Sequence, residues 1–232
     1  MNPFERSIQL LGEAAFSRLQ TRRVILFGVG GVGGWCAEAL VRTGLRHLTI
    51  VDFDTVSTGN INRQAAATAL TVGQPKAEAM RRRLLDICPD ADITALNCRY
   101  TPENADIFHL SDYDYILDAI DSTECKAHLM VQALRTNAVF FSSMGAGRKL
   151  DPTRVHIKPF KQVEGCPLAR ALRTRLRKTG QMPDKPFMCV YSDEQPLAGG
   201  GEGIGSLMPV VGTFGMTLAS LVLKDIINTR YE

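Results

Sequence analysis

Val24-Ile25-Leu26-Phe27-Gly28-Val29-Gly30-Gly31-Val32-Gly33-Gly34 decides how the chain folds. Four consecutive apolar residues, too few for a helix, suit a strand buried on both faces. The glycines break that strand, and residues 35–43 read as a helix ended by Gly44. His47-Leu48-Thr49-Ile50-Val51 is a second strand, so the segment closes a βαβ unit. Inside the turn Gly28, Gly30 and Gly33 keep the Gly-x-Gly-x-x-Gly spacing, with Gly31 between them. Bare backbone admits a phosphate there, and the following helix N-terminus offers N–H donors and a partial positive charge. Asp52, at the end of the second strand, is placed to accept hydrogen bonds from ribose hydroxyls.

The same alternation continues outward. Residues 76–87 read as a helix, 93–96 as extended, 115–117 as a strand leading into Asp118, 123–136 as a helix and 139–141 as a strand. Residues 3–20 read as one amphipathic helix, with Ile8, Leu11, Ala15 and Leu19 at helical spacing. Strands alternating with helices predict an α/β, Rossmann-like, doubly wound and mainly parallel sheet with helices on both faces. Past Gly145 the character changes. Residues 154–160 look extended, 167–178 form an amphipathic basic helix, 198–206 are glycine-rich, and 210–228 are an apolar helix with Gly212 and Gly215 suited to a close packing contact. The expected division is therefore a nucleotide-binding, Rossmann-like unit over 1–150 and a basic extension over 151–232, packed on the same core.

By itself the glycine turn admits NAD, FAD or ATP. The charges around it narrow the choice. A dinucleotide diphosphate needs little beyond the helix N-terminus, whereas a triphosphate carries about four negative charges near neutral pH and calls for cations. Asn60-Ile61-Asn62-Arg63-Gln64 and Gly73-Gln74-Pro75-Lys76 supply Arg63 and Lys76. Asp121, just beyond the strand ending at Asp118, sits where parallel sheets place ligands and has the chemistry of a magnesium ligand. A nicotinamide-dependent dehydrogenase would leave Arg63, Lys76 and Asp121 without work.

Six blocks in order, Gly28–Gly33, Val41-Arg42-Thr43-Gly44, Asp52-Phe53-Asp54, Asn60-x-Asn62-Arg63-Gln64, Gly73-Gln74-Pro75-Lys76 and Asp118-x-x-Asp121, resemble the ThiF/MoeB/HesA adenylyltransferases, bacterial relatives of ubiquitin-activating enzymes. The resemblance runs from about residue 4 to 147. It implies that the glycine loop holds ATP, that Asp52 binds the ribose, with Asp54 and Gln64 in the same motifs, that Asn60, Arg63 and Lys76 contact the nucleotide and its phosphates, and that Asp121 holds Mg2+. It also implies a homodimer in which an N-terminal arginine serves the partner's site; Phe4-Glu5-Arg6-Ser7-Ile8 makes Arg6 the candidate.

Within that family the chain lacks the paired Cys-x-x-Cys zinc site common among sulfur-carrier activators. It is more similar to the tRNA threonylcarbamoyladenosine dehydratase branch, through Ser142-Ser143-Met144-Gly145-Ala146-Gly147, Leu150-Asp151-Pro152-Thr153, Cys166-Pro167-Leu168-Ala169 and Val190-Tyr191-Ser192. The implied partner is tRNA carrying that modification. Adenylation of the C-terminal glycine of a ubiquitin-like sulfur carrier shares the whole ATP site and stands as the alternative. Sulfur-transfer proteins stand as a further partner class.

Charge agrees with a nucleic-acid partner. The net charge is +3, but residues 153–185 carry nine Lys and Arg against Glu164 and Asp184, leaving the remainder acidic. On the basic helix Leu168, Leu172 and Leu176 mark the buried stripe, while Arg170, Arg173, Arg177 and Lys178 are candidates for tracking phosphates. The cysteines at 36, 88, 98, 125, 166 and 189 form no Cys-x-x-Cys pair, which argues against zinc, and no catalytic thiol is assigned although Cys166 and Cys189 lie outside the nucleotide fold. The first residues lack the apolar core of a signal peptide and no run reads as a membrane span, so the expected compartment is the cytoplasm.

Overall fold

Residues 24–27 alternate between two cores. Val24 and Leu26 face one layer of helices, Ile25 and Phe27 the other. The strand they belong to, β1 (Arg23–Phe27), is joined by β2 (His47–Val51), β3 (Asp92–Leu96), β4 (Tyr115–Asp118), β5 (Val139–Ser143), β6 (Val155–Pro159) and β7 (Met188–Ser192). The sheet order is β3-β2-β1-β4-β5-β7-β6 in the computed structural model, which describes residues 2–198 and 203–228. All pairings are parallel except β6 with β7. One face carries α1 (Glu5–Leu11), α2 (Glu13–Thr21), α3 (Gly33–Thr43), α4 (Lys76–Ile87) and α7 (Met208–Asn228); the other carries α5 (Thr123–Ala133) and α6 (Pro167–Lys178). The strand order reverses at β1 and β4, so the crevice beyond their carboxyl ends is the natural ligand site.

The N-terminal segment departs from the single helix expected. Gly12 (φ 79°, ψ 153°) divides it, closing α1 with its own N–H on the Ile8 carbonyl and opening α2 by accepting from Phe16 N–H. Helix α5 also stops short, at Ala133, where the Thr136 hydroxyl bonds the Ala133 carbonyl. Strand β7 has no counterpart in the sequence reading. It pairs Phe141–Ser143 with Met188–Val190 in parallel and takes β6 on its outer side, so residues beyond 150 extend the nucleotide-binding sheet itself.

Helix α7 corrects the expectation that no run could span a membrane. Its 21 residues, with a mean hydropathy of 1.6 in the most apolar window, are long and apolar enough by length and composition. One face of it is engaged in the core: Val210, Phe214, Leu218 and Val222 are fully buried, and its main neighbour is α3, while Met216 and Ile227 are exposed. Gly215 permits that approach, because a Cβ there would stand 2.5 Å from the Val32 carbonyl oxygen and 2.8 Å from Trp35 Cβ; Gly212 meets only the Met208 side chain. Of the glycine-rich stretch 198–206, residues 199–202 lie outside the described residues. Its flanks meet at one residue: Leu197 N–H donates to the Arg148 carbonyl and Arg148 N–H donates to the Gly205 carbonyl, both at 2.8 Å.

Candidate active site

A cavity of about 660 Å³ opens at the carboxyl ends of β1, β2, β4 and β5. Its floor is the glycine turn. Gly28 adopts φ 86°, and a Cβ on it would lie 2.8 Å from the Ala119 carbonyl oxygen. Gly33 stays out of the lining; a Cβ there would overlap the Gly28 carbonyl at 1.8 Å, so this glycine lets α3 close onto the turn. Gly30 and Gly31 face the cavity, and the space beside Gly30 is open apart from Gln64 Nε2 at 3.7 Å.

Asp52, Asp54, Arg63, Gln64, Lys76 and Asp121 all line this cavity, so tertiary structure brings together residues spread over 70 positions of sequence. Asp52 is 8% exposed; its Oδ2 accepts the Val29 N–H at 2.8 Å and its Oδ1 the Asp54 N–H at 2.9 Å. Burial pushes its carboxyl above the usual range, against the pull of those two N–H groups and the Lys76 charge. Each oxygen retains a lone pair for a ribose hydroxyl. Lys76, 7% exposed as the first residue of α4, sets its ammonium 2.7 Å from Asp54 Oδ2. Arg63 holds Gly59 O and Asn62 Oδ1 with one nitrogen (2.8 and 2.9 Å), and Trp35 Nε1–H fixes its carbonyl at 2.9 Å. Its other guanidinium N–H groups have no partner among the described residues.

Two candidates stand elsewhere. Asn60 does not line the cavity; its Oδ1 accepts the Ser57 N–H at 3.0 Å and closes a turn, shaping the loop that carries Arg63. Arg6 is exposed on α1, away from the cavity of its own chain. Asp121 is exposed and lines the cavity with no hydrogen bond or ion pair among the described residues. Those residues contain no group of three His, Cys, Asp or Glu able to hold a metal. A single carboxylate fits magnesium that arrives on a triphosphate, since that ion commonly takes one or two carboxylates plus phosphate oxygens and waters.

The far wall was not legible in the sequence. The loop after β5, residues 143–149, and the start of α6 at Cys166, Pro167 and Leu168 complete the cavity. Lys149 is buried there and donates to the Ser192 carbonyl at 3.2 Å and to the Glu194 carbonyl. In return the Glu194 carboxylate accepts the N–H groups of Leu150 and Asp151, 3.0 Å each from its nearer oxygen. Burial lowers the Lys149 pKa. At the mouth, the Arg99 guanidinium lies 4.5 Å from the centroid of the half-exposed Phe53 ring. Two sequence signals touched this wall without assigning it to the cavity: residues 142–147 and 166–169 carry the branch resemblance, and loops at the carboxyl ends of parallel strands build the site.

The basic face of α6 is narrower than expected. Leu172 and Leu176 are buried, and Arg170, Arg177 and Lys178 are exposed. Arg173 turns inward instead, donating to the carbonyls of Phe160 (3.2 Å) and Val163 (2.9 Å) with its guanidinium beside the Phe160 ring, so it packs the helix onto the body. All six cysteines are free thiols; burial pushes those of Cys36 and Cys189 far above the usual range.

Fold and site together define an α/β nucleotide-binding domain in which Arg63 and Lys76 line the same cavity as the glycine turn. The chain belongs to the ThiF family, whose model matches residues 4–231. This membership removes the nicotinamide-dependent reading. The chain is 39% identical over 197 residues to the tRNA threonylcarbamoyladenosine dehydratase of Bacillus subtilis, covering 85% of this chain and 77% of the relative. It is 37% identical over 207 residues to the molybdopterin-synthase adenylyltransferase of Escherichia coli, covering 89% and 73%. Crystal structures of the E. coli tRNA N6-threonylcarbamoyladenosine dehydratase with ATP and with AMP match it at TM-scores of 0.91 and 0.92, with 34% identity over 97% of this chain and 93% of that one.

Proposed function

We propose that this chain binds ATP and adenylates the carboxylate of threonylcarbamoyladenosine in tRNA, driving its cyclising dehydration. The observation that carries this choice is that the basic helix starts inside the ATP cavity: Cys166, Pro167 and Leu168 line the same space as the glycine turn, while Arg170, Arg177 and Lys178 continue outward on the exposed face. A tRNA backbone along that face could deliver a modified base to the α-phosphate. A carrier-protein tail needs a groove and has no use for the cations, although the likeness to a molybdopterin-synthase adenylyltransferase keeps that chemistry close.

In the first step a substrate carboxylate oxygen attacks the α-phosphorus, the bond to the bridging oxygen breaks, and pyrophosphate leaves. An internal nucleophile of the same side chain then attacks the acyl carbon and expels AMP, which carries away the oxygen lost as water. The protein supplies positioning and charge. Asp52 holds the ribose, Gly30 and Gly31 admit the phosphates, and Arg63 and Lys76 neutralise them. Asp121 meets the Mg2+ of the nucleotide. The enzyme acts as a homodimer in which each Arg6 reaches the partner's site, in the cytoplasm with its tRNA, and sulfur-transfer proteins are its further partner class. Residues 1–150 form the adenylation unit and 151–232 the substrate-binding extension.

ATP–pyrophosphate exchange measured with threonylcarbamoyl-modified tRNA, unmodified tRNA and a sulfur-carrier protein in parallel tests the assignment. Exchange is expected with the modified tRNA alone; exchange confined to the carrier protein would sink it.

A further inference from the structure

Asp118 and Lys126 form an ion pair with both side chains wholly withdrawn from solvent, Nζ to Oδ2 at 2.9 Å. Neither lines the ATP cavity. A buried pair is costly to desolvate, and an apolar pair of similar volume is often as stable, so stability alone is a poor reason for it. Its remaining hydrogen bonds supply a better one. Asp118 Oδ1 accepts the Ile120 N–H at 3.0 Å, and Lys126 Nζ donates to the Ile120 carbonyl at 3.0 Å. Ser142 Oγ–H donates to Asp118 Oδ2 at 2.8 Å, seating the pair on β5. Ala119 N–H is held by the Phe27 carbonyl at 2.8 Å. Both backbone groups of Ile120 are thus gripped by charged partners, and the next residue is Asp121, which lines the cavity with no partner among the described residues.

We propose that the Asp118–Lys126 pair, seated on Ser142, is the positioning device that aims the Asp121 carboxylate into the ATP phosphate site. This rests on reading Asp121 as the residue that meets the nucleotide's magnesium. Charge-assisted hydrogen bonds hold geometry more firmly than neutral ones, and a turn fixed in advance loses little freedom when its ligand arrives. Asp118 and Lys126 touch neither nucleotide nor metal; they act through the Ile120 peptide.

The test uses the full chain and three variants. Asp118→Asn combined with Lys126→Met removes both charges together and orphans neither; Ser142→Ala withdraws one supporting hydrogen bond; Asp121→Ala removes the carboxylate. ATP binding is measured by calorimetry without divalent cation and across a magnesium titration, beside pyrophosphate exchange. Without magnesium the paired variant should bind ATP within about twofold of the parent, because the glycine turn is unaltered. The magnesium enhancement of ATP binding should fall about tenfold to a hundredfold, the usual cost of losing the support behind a metal ligand. A paired variant with the parent's magnesium response, when Asp121→Ala has lost it, overturns the positioning role. An Asp121→Ala chain that keeps the response overturns the reading of Asp121 itself. If the paired variant fails to fold, Ser142→Ala decides: a partial loss of the magnesium response at an unchanged unfolding midpoint supports the role, and an unchanged response refutes it.

Discussion

Gly28 and Gly30, two residues apart in one turn, should fail in different ways when each is replaced by alanine. At Gly28 the backbone has φ 86°, and the added methyl would stand 2.8 Å from the Ala119 carbonyl oxygen, which is backbone and cannot swing aside. Left-handed backbone costs an L residue about 1–2 kcal/mol. Overpacking against fixed atoms adds about 1–3 kcal/mol. The Gly28→Ala chain should therefore lose about 2–5 kcal/mol, a fall of roughly 5–15 °C in unfolding midpoint for a protein of this size. At Gly30 the methyl would find only Gln64 Nε2, at 3.7 Å, and would project into the cavity where a phosphate must approach. Gly30→Ala should keep the midpoint within about 2 °C while ATP affinity falls at least about tenfold, since a methyl group between backbone and phosphate removes close N–H contacts. Calorimetric unfolding and ATP titration on the same preparations separate the two cases. A Gly30→Ala chain that binds ATP as the parent does would refute the placement of the phosphates on this turn.

Glu38 is buried on α3 between Arg83 of α4 (2.6 Å) and Arg42 (2.8 Å). Burial raises its pKa, but the two guanidinium groups outweigh that, and the carboxyl titrates below its ordinary value. Its contribution is thus complete above the ordinary carboxylate range and is lost as pH falls through the depressed value. Glu38→Gln should cost about 1–2 kcal/mol near neutral pH, discounted because both arginines keep water contact, and the difference should vanish in acid. Denaturant unfolding at a series of pH values checks this; a pH-independent difference would contradict it. On α6 the prediction splits by residue. Arg170→Glu with Lys178→Glu should weaken tRNA binding and flatten its salt dependence, with the unfolding midpoint unchanged. Arg173→Ala should cost about 1–2 kcal/mol of stability by freeing two carbonyls. Filter binding and thermal unfolding distinguish them, and a stable Arg173→Ala chain with impaired tRNA binding would return that residue to the exposed face.

The nucleotide half of the site was legible because its signals are local. An apolar run of four followed by glycines at fixed spacing specifies strand, turn and helix over about twenty residues; Asp52 and Asp121 each follow a strand, Lys76 opens α4, and Arg63 sits in the loop between β2 and α4. That periodicity also marked α4, α6 and β1 to β5 with little error. It missed the break at Gly12, because the apolar positions on either side keep helical phase even though the backbone does not. What sequence could not supply are relations that exist only after the sheet closes. Strand β7 enters between β5 and β6, and no periodicity within residues 188–192 states which strands will flank it. Arg173 has the same helical spacing as its basic neighbours, yet the carbonyls of Phe160 and Val163, brought close by the packing of α6, take its guanidinium. Lys149 meets the carbonyls of Ser192 and Glu194 only because β5 and β7 run side by side. Asp118 is joined to Ser142 from the neighbouring strand by the same pairing of strands. The sequence by itself determined the glycine turn and the class of sheet, since these depend on residues close along the chain. The tertiary structure alone decided the far wall of the cavity, the direction of Arg173 and the buried pair beneath Asp121, since each depends on groups that touch only when distant strands align.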